Sequence, residues 1–172
     1  GHGNNASRTL LVGGLLLIVA GFLYGAAMAA WNSGGTGPCE VAILKDIVAH
    51  SVSADQIALD TAFGAYGEFQ MYKAINVATH AHINEMGILL LLLSFVQSFV
   101  QYADGLRNRW AHFAVLCGFG LPLGIMLEIP YGFVGSVIAD LSGFGMIVVV
   151  LATLFGLLRH TGASDANQGG VA

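Results

Sequence analysis

Four apolar runs, each long enough to cross a bilayer as a helix, constrain this chain more than any other feature. A hydrocarbon core about 30 Å thick takes roughly 20 helical residues. The runs cover about residues 9–31, with Trp31 as an interfacial anchor, 74–101, 110–130, where Pro130 supplies a stop, and 133–158, closed by Arg159 and His160. Only 9% of the 172 residues are charged and 56% are hydrophobic, whereas a soluble domain carries about 25% charged residues. The expected fold class is an all-α integral membrane protein, four transmembrane helices in a bundle. The first run follows Arg8 and has small residues near its end, as a signal peptide would, but its length and its Trp31-Asn32-Ser33 ending mark it as a span. Residues 1–8 read as an N-terminal tail whose Gly1-His2-Gly3 looks like an expression scar, and residues 161–172, rich in Gly, Ala, Asp and Asn, read as a disordered tail.

Four spans put both termini of the 9–160 membrane domain on one side. That side carries Arg8, Arg107, Arg109 and Arg159, against Lys45 and Lys73 on the other. By the positive-inside rule the termini are cytoplasmic, as in a bacterial inner-membrane protein. With 10 acidic residues against 6 basic ones, a net charge of -4 excludes the usual nucleic-acid footprint. Cys39 and Cys117 form no CxxC pair and read as free thiols.

The outer loop, residues 32–73, is too long and too apolar for a linker. Gly37-Pro38 followed by Glu40 marks a helix start. Val41, Leu44, Ile47 and Val48 then predict a short interfacial helix to about His50. Ser53 followed by Gln56 has capping-box spacing and predicts a second short helix through Phe63.

The run Thr79-His80-Ala81-His82-Ile83-Asn84-Glu85-Met86-Gly87 places two imidazoles, an amide and a carboxylate at the mouth of the second span. Ionisable groups at membrane depth are costly and ordinarily face a cavity, a partner or a cofactor. At 1.5 Å per residue His82 lies about 27 Å from Val100, near the loop-side boundary. Span direction brings Glu128, Asp140, Met28 and Met126 into the same layer, and Asp46 with His50 could fold down over it from the loop. Residues two apart on a helix point about 200° apart, so His80 aligns with Asn76 and Asn84, and His82 with Glu85 and Met86. One metal therefore cannot take both histidines on a regular helix. The candidate metal ligands are His80, His82, Glu85, Glu128, Asp140 and Asp46, and the candidate cofactor-binding residues are His80, His82 and His50. His112 and His160, at the opposite boundary, read as ordinary hydrogen-bonded boundary residues, and Met28 and Met126 as packing. Gly21-Phe22-Leu23-Tyr24-Gly25 and Gly120-Leu121-Pro122-Leu123-Gly124 have small-xxx-small spacing, which suits close helix approach and is compatible with a homo-oligomer.

The His80-Ala81-His82 pair followed by Gly87 and a Leu-rich run resembles one helix of the heme-copper oxidase and nitric oxide reductase catalytic subunits. In those subunits the two histidines serve different hemes on opposite faces of the helix. The resemblance covers about ten residues and implies heme or metal ligation by His80 and His82. It also implies that a four-span chain could mimic one of three four-helix arcs by trimerising. The expected function is a membrane redox protein binding heme b, or copper or iron, in a His/carboxylate layer near the outer face, passing electrons to or from a quinol or a larger membrane complex. The alternative is a non-catalytic accessory or assembly subunit of such a complex.

Overall fold

The computed structural model describes residues 4–31, 37–53 and 55–168 and is all-helical, with no strand among them. The helices are α1 (Asn4–Trp31), α2 (Gly37–Ser53), α3 (Gln56–Val96, followed by a 3-10 turn Gln97–Phe99), α4 (Asp104–Tyr131) and α5 (Phe133–Gln168). Four of them, α1, α3, α4 and α5, are long and apolar enough to cross a membrane. Their outward faces are apolar as well: Leu16, Phe22, Leu92, Phe95, Leu116, Leu141 and Phe144 all stand exposed. An apolar exterior of that extent suits lipid and not water.

Several boundaries differ from the expectation. The cap of α3 is Asp55, whose carboxylate accepts from the Ala58 N–H at 3.1 Å. Ser53 is instead the last residue of α2, and its hydroxyl donates back to the His50 carbonyl at 3.1 Å. No second short helix ends at Phe63, because nothing interrupts α3, which runs for 41 residues, about 61 Å at 1.5 Å per residue. Pro130 falls in the last turn of α4, which runs one residue past it to Tyr131, since a helical proline loses its own backbone bond and crowds the carbonyl four residues back. Gly132 follows, and its φ of 46° turns the chain while its N–H closes on the Glu128 carbonyl at 2.9 Å. Gly132 suits this position because a Cβ disfavours positive φ. At the far end α5 extends to Gln168, into the stretch expected to be disordered, while residues 169–172 lie outside the described ones.

The long helices pack as α1 with α3 and α4, α3 with α4, and α4 with α5. Their common core holds Leu10, Leu17, Leu90, Leu93, Ala114, Cys117 and Met146. Both small-xxx-small spacings are used within the chain. A Cβ on Gly124 would lie 2.8 Å from Ala139 Cα, and one on Gly25 would lie 2.6 Å from the His80 ring. Those glycines explain close approach inside one copy and so give no support to an oligomer.

α2 folds back on the first half of α3. Gln70 Nε2 and Lys73 Nζ donate to the Glu40 carboxylate at 2.9 and 3.1 Å. The half-buried row is Ile43, Ile47 and His50, while Val41, Leu44 and Val48 face outward, so the expected apolar stripe is not the packed one. Glu40, one and two turns before Ile43 and Ile47, lies on the packed side with them and meets Gln70 and Lys73 across the hairpin. The Lys73 and Gln70 donors hold the Glu40 carboxyl below the usual carboxylate range. A carboxylate depressed in this way contributes stability that is complete above its unfolded value and lost as pH falls through its folded one. Acidification below about pH 4 is therefore expected to loosen α2 from α3, read as faster amide exchange in α2. Glu40→Gln should show fast exchange already at neutral pH.

Candidate functional site

The structure sends the two histidines of the motif to different neighbours. His80 faces α1. Its ring lies against Gly25 and is stacked on Tyr24, centroids 6.5 Å apart and planes 15° apart. Asn84 Nδ2 donates to the His80 carbonyl at 3.0 Å and stands 3.5 Å from His80 Nδ1. One turn earlier, Tyr24 Oη donates to Asn76 Oδ1 at 2.6 Å, and Asn76 Nδ2 donates to the Tyr72 carbonyl at 2.8 Å. Asn76 is 5% exposed and Thr79 1% exposed, so this is a satisfied polar seam locking α3 to α1. Tyr24 is the residue that sequence reasoning missed. The signal was an aromatic hydroxyl set between two glycines that bring the facing helix close.

Removing the Tyr24 hydroxyl strands the buried Asn76 oxygen. Tyr24→Phe is expected to cost about 1–3 kcal/mol, the penalty for leaving a buried acceptor unpaired. A thermal or denaturant unfolding series in detergent checks this, with Phe22→Leu on the exposed face of α1 as the neutral comparison.

His82 lies on another face. Its Nδ1 is 2.9 Å from Glu85 Oε2, with the side chains 38% and 61% exposed. The nitrogen itself is buried and makes no formed hydrogen bond, its neighbour at this distance being the Glu85 carboxylate. Below His82 on the same row of α3, Met86 and Leu89 form one wall of an apolar groove of about 320 Å³. Leu121 of α4 contributes to the lining, and Gly143, Ile147 and Val150 of α5 form the opposite wall. Asp140 precedes Gly143 by three residues and Ile147 by seven, so it continues the α5 wall by one turn. Glu128 follows Leu121 by seven and continues the α4 row. Asp140 is exposed and Glu128 half-buried. The groove thus has apolar walls and, at the end nearer α2, titratable side chains on all three bordering helices.

The remaining expected residues do not join this set. Glu40 sits opposite Gln70 and Lys73, and the chain reverses near residue 55, so antiparallel pairing places His50 opposite about residue 60. That position is about 30 Å along α3 from His80, and Asp46 lies on the same helix, exposed. Neither folds over the histidine layer, because α2 runs away from it. His112 is exposed on α4 near the other end, with Nδ1 2.8 Å from the Asn108 carbonyl, and the side chain of His160 lies outside the described residues. Met126 and Met28 line separate small pockets. Among the described residues no three of His, Cys, Asp and Glu come together to hold a metal ion.

No protein-family model, curated protein or solved structure matches this chain.

Proposed function

We propose that the chain is a membrane redox protein that binds heme b in the groove between α3 and α5, with His82 as the axial ligand. The observation that carries this reading is His82, placed one turn above Met86 of the apolar groove with its buried Nδ1 2.9 Å from the Glu85 carboxylate, an arrangement that leaves Nε2 as the nitrogen to meet iron. A copper or iron ion held by protein alone needs three or four donors, and here only His82 and Glu85 stand together. A macrocycle brings four nitrogen donors of its own and asks the protein for an axial histidine and apolar walls, which is what the residues present offer. A bound heme would supply one-electron chemistry. Glu85, 2.9 Å from Nδ1, would orient the imidazole and strengthen Nε2 as a ligand. Glu128 and Asp140 give the same end of the groove groups able to hold and release protons. His80 is reassigned from ligand to structural residue, since its ring is already clasped by Gly25 and Tyr24.

Arg8 and Arg159 near the chain ends and Arg107 and Arg109 at the α3–α4 connection, against two lysines on the α2 side, support cytoplasmic termini and a groove mouth near the outer face of a bacterial inner membrane. A quinol or a larger membrane enzyme is then the electron partner. The deciding experiment is an absorption spectrum with metal analysis of the purified chain. A Soret band with near-stoichiometric iron is expected, and a sample with neither overturns the proposal.

One observation favours the accessory-subunit reading. Val41, Leu44, Val48 and Val52 form an exposed apolar row on α2, suited to docking on another protein. On that reading, charged substitutions along this row abolish assembly with a larger complex and leave any chromophore intact.

A further inference from the structure

A second pocket, of about 270 Å³, opens between α1 and α3 beyond the Tyr24–His80 stack. Its lining is Tyr24, Ala27, Met28 and Trp31 from α1 and Tyr72 and Asn76 from α3. Three of the six are aromatic, and none is charged. The single amide is already engaged, with Oδ1 accepting from Tyr24 and Nδ2 donating to the Tyr72 carbonyl. The lining is thus three aromatic rings and a thioether, whose only polar groups besides the engaged amide are the two tyrosine hydroxyls and the Trp31 indole N–H, with no charged group to pair with an ion. Ring faces carry a negative quadrupole and attract weakly hydrated cations.

An independent feature points the same way. The α2–α3 hairpin preceding Asn76 carries Glu40, Asp46, Asp55, Asp60 and Glu68 against Lys45 and Lys73 alone. Its one ion pair across the hairpin, Glu40 with Lys73, leaves the excess negative. Such a field concentrates cations at the pocket's end of the molecule.

We infer that this pocket is a binding site for a quaternary ammonium group, held by cation–π contact with Tyr24, Trp31 and Tyr72. The ligand is either a free choline-type cation or the choline headgroup of a lipid. Trp31 and Tyr72 are exposed at the pocket wall, so either can lose its ring without opening the core. The inference is independent of what the α3–α5 groove binds.

The test is equilibrium dialysis of radiolabelled choline against the full chain in phosphatidylglycerol nanodiscs, with 3,3-dimethylbutan-1-ol as the uncharged isostere. Saturable binding of one choline per chain is expected, with the isostere competing at least about tenfold more weakly. Trp31→Leu and Tyr72→Leu should each weaken choline binding roughly 2- to 30-fold, the range that one cation–π contact spans, with helical circular dichroism unchanged. Nanodiscs of phosphatidylcholine separate the two sources. Loss of free-choline binding there identifies the lipid headgroup as occupant, and unchanged binding identifies a free cation. Absence of saturable choline binding in phosphatidylglycerol discs, equal binding of the isostere, or unchanged binding in both ring variants would each overturn the assignment.

Discussion

On the heme-binding proposal, His82→Ala is expected to abolish the Soret band while the chain retains its helical circular dichroism. The reason is donor count. The groove walls contributed by Leu89, Leu121 and Ile147 hold a flat apolar group and offer iron nothing, and the thioethers of Met86 and Met146 are softer and weaker donors than an imidazole, so on this reading the protein's main bond to iron resides in His82. Glu85→Gln keeps the ligand and removes the carboxylate that stands 2.9 Å from its Nδ1. Replacing such a partner commonly lowers affinity roughly 10- to 100-fold, so this variant should retain heme at saturating concentration and lose it on dilution. His80→Ala provides the contrast. It empties the space between Tyr24 and Gly25 and should lower thermal stability while leaving the spectrum in place. A His82→Ala protein with an unchanged Soret band would sink the assignment, whatever His80→Ala does.

Gly124→Val and Gly135→Val are expected to be the most destabilising single substitutions in the α4–α5 hairpin. A Cβ on Gly124 would stand 2.8 Å from Ala139 Cα, and one on Gly135 would stand 2.6 Å from the Leu127 carbonyl carbon and 2.8 Å from Glu128 Cα. These neighbours are backbone, and backbone in a regular helix cannot step aside as a flexible side chain can. The two helices must separate, opening the contact that also carries Glu128. Overpacking costs about 1–3 kcal/mol even where side chains can yield, and these sites should meet or exceed that. Gly143→Ala makes the control, because its Cβ would meet only Leu121 Cδ1 at an ordinary 3.6 Å. Unfolding series in a single detergent should place the Gly143 variant near the parent and both others well below. Parity of all three would mean that α4 and α5 are not held at this separation.

The two cases mark where sequence reading works. The existence of four long apolar helices was legible because the cost of burying polar groups in lipid is a property of each segment alone, summed along its length. The start of α2 at Gly37-Pro38 with Glu40 in the first turn was legible because capping is local chemistry, whereas the cap of α3 fell to Asp55 and not to the expected Ser53, which α2 keeps as its last residue. The split of His80 from His82 followed from helical geometry, which needs no neighbours. Other features were not accessible in that way. α3 passes Phe63 without a break because nothing in 56–73 forbids a helix, and pairing with α2 stabilises it there. Which face of α2 packs was not legible, because the partners of that face, Gln70 and Lys73 against Glu40 among them, lie thirty and thirty-three residues away.

What the chain determines by itself is therefore its segments: four helices suited to a membrane, an acidic helical hairpin, and one motif with two histidines on opposite faces. What only the tertiary structure decided is the role of each face. A helix apolar on all sides carries no stripe to say which side turns inward, since lipid and protein interior reward the same residues. Close approach at glycine broke that tie. Gly21 and Gly25 let α1 clasp Asn84 and His80, and this turned His82 with Glu85 toward the groove that α3 and α5 leave between them.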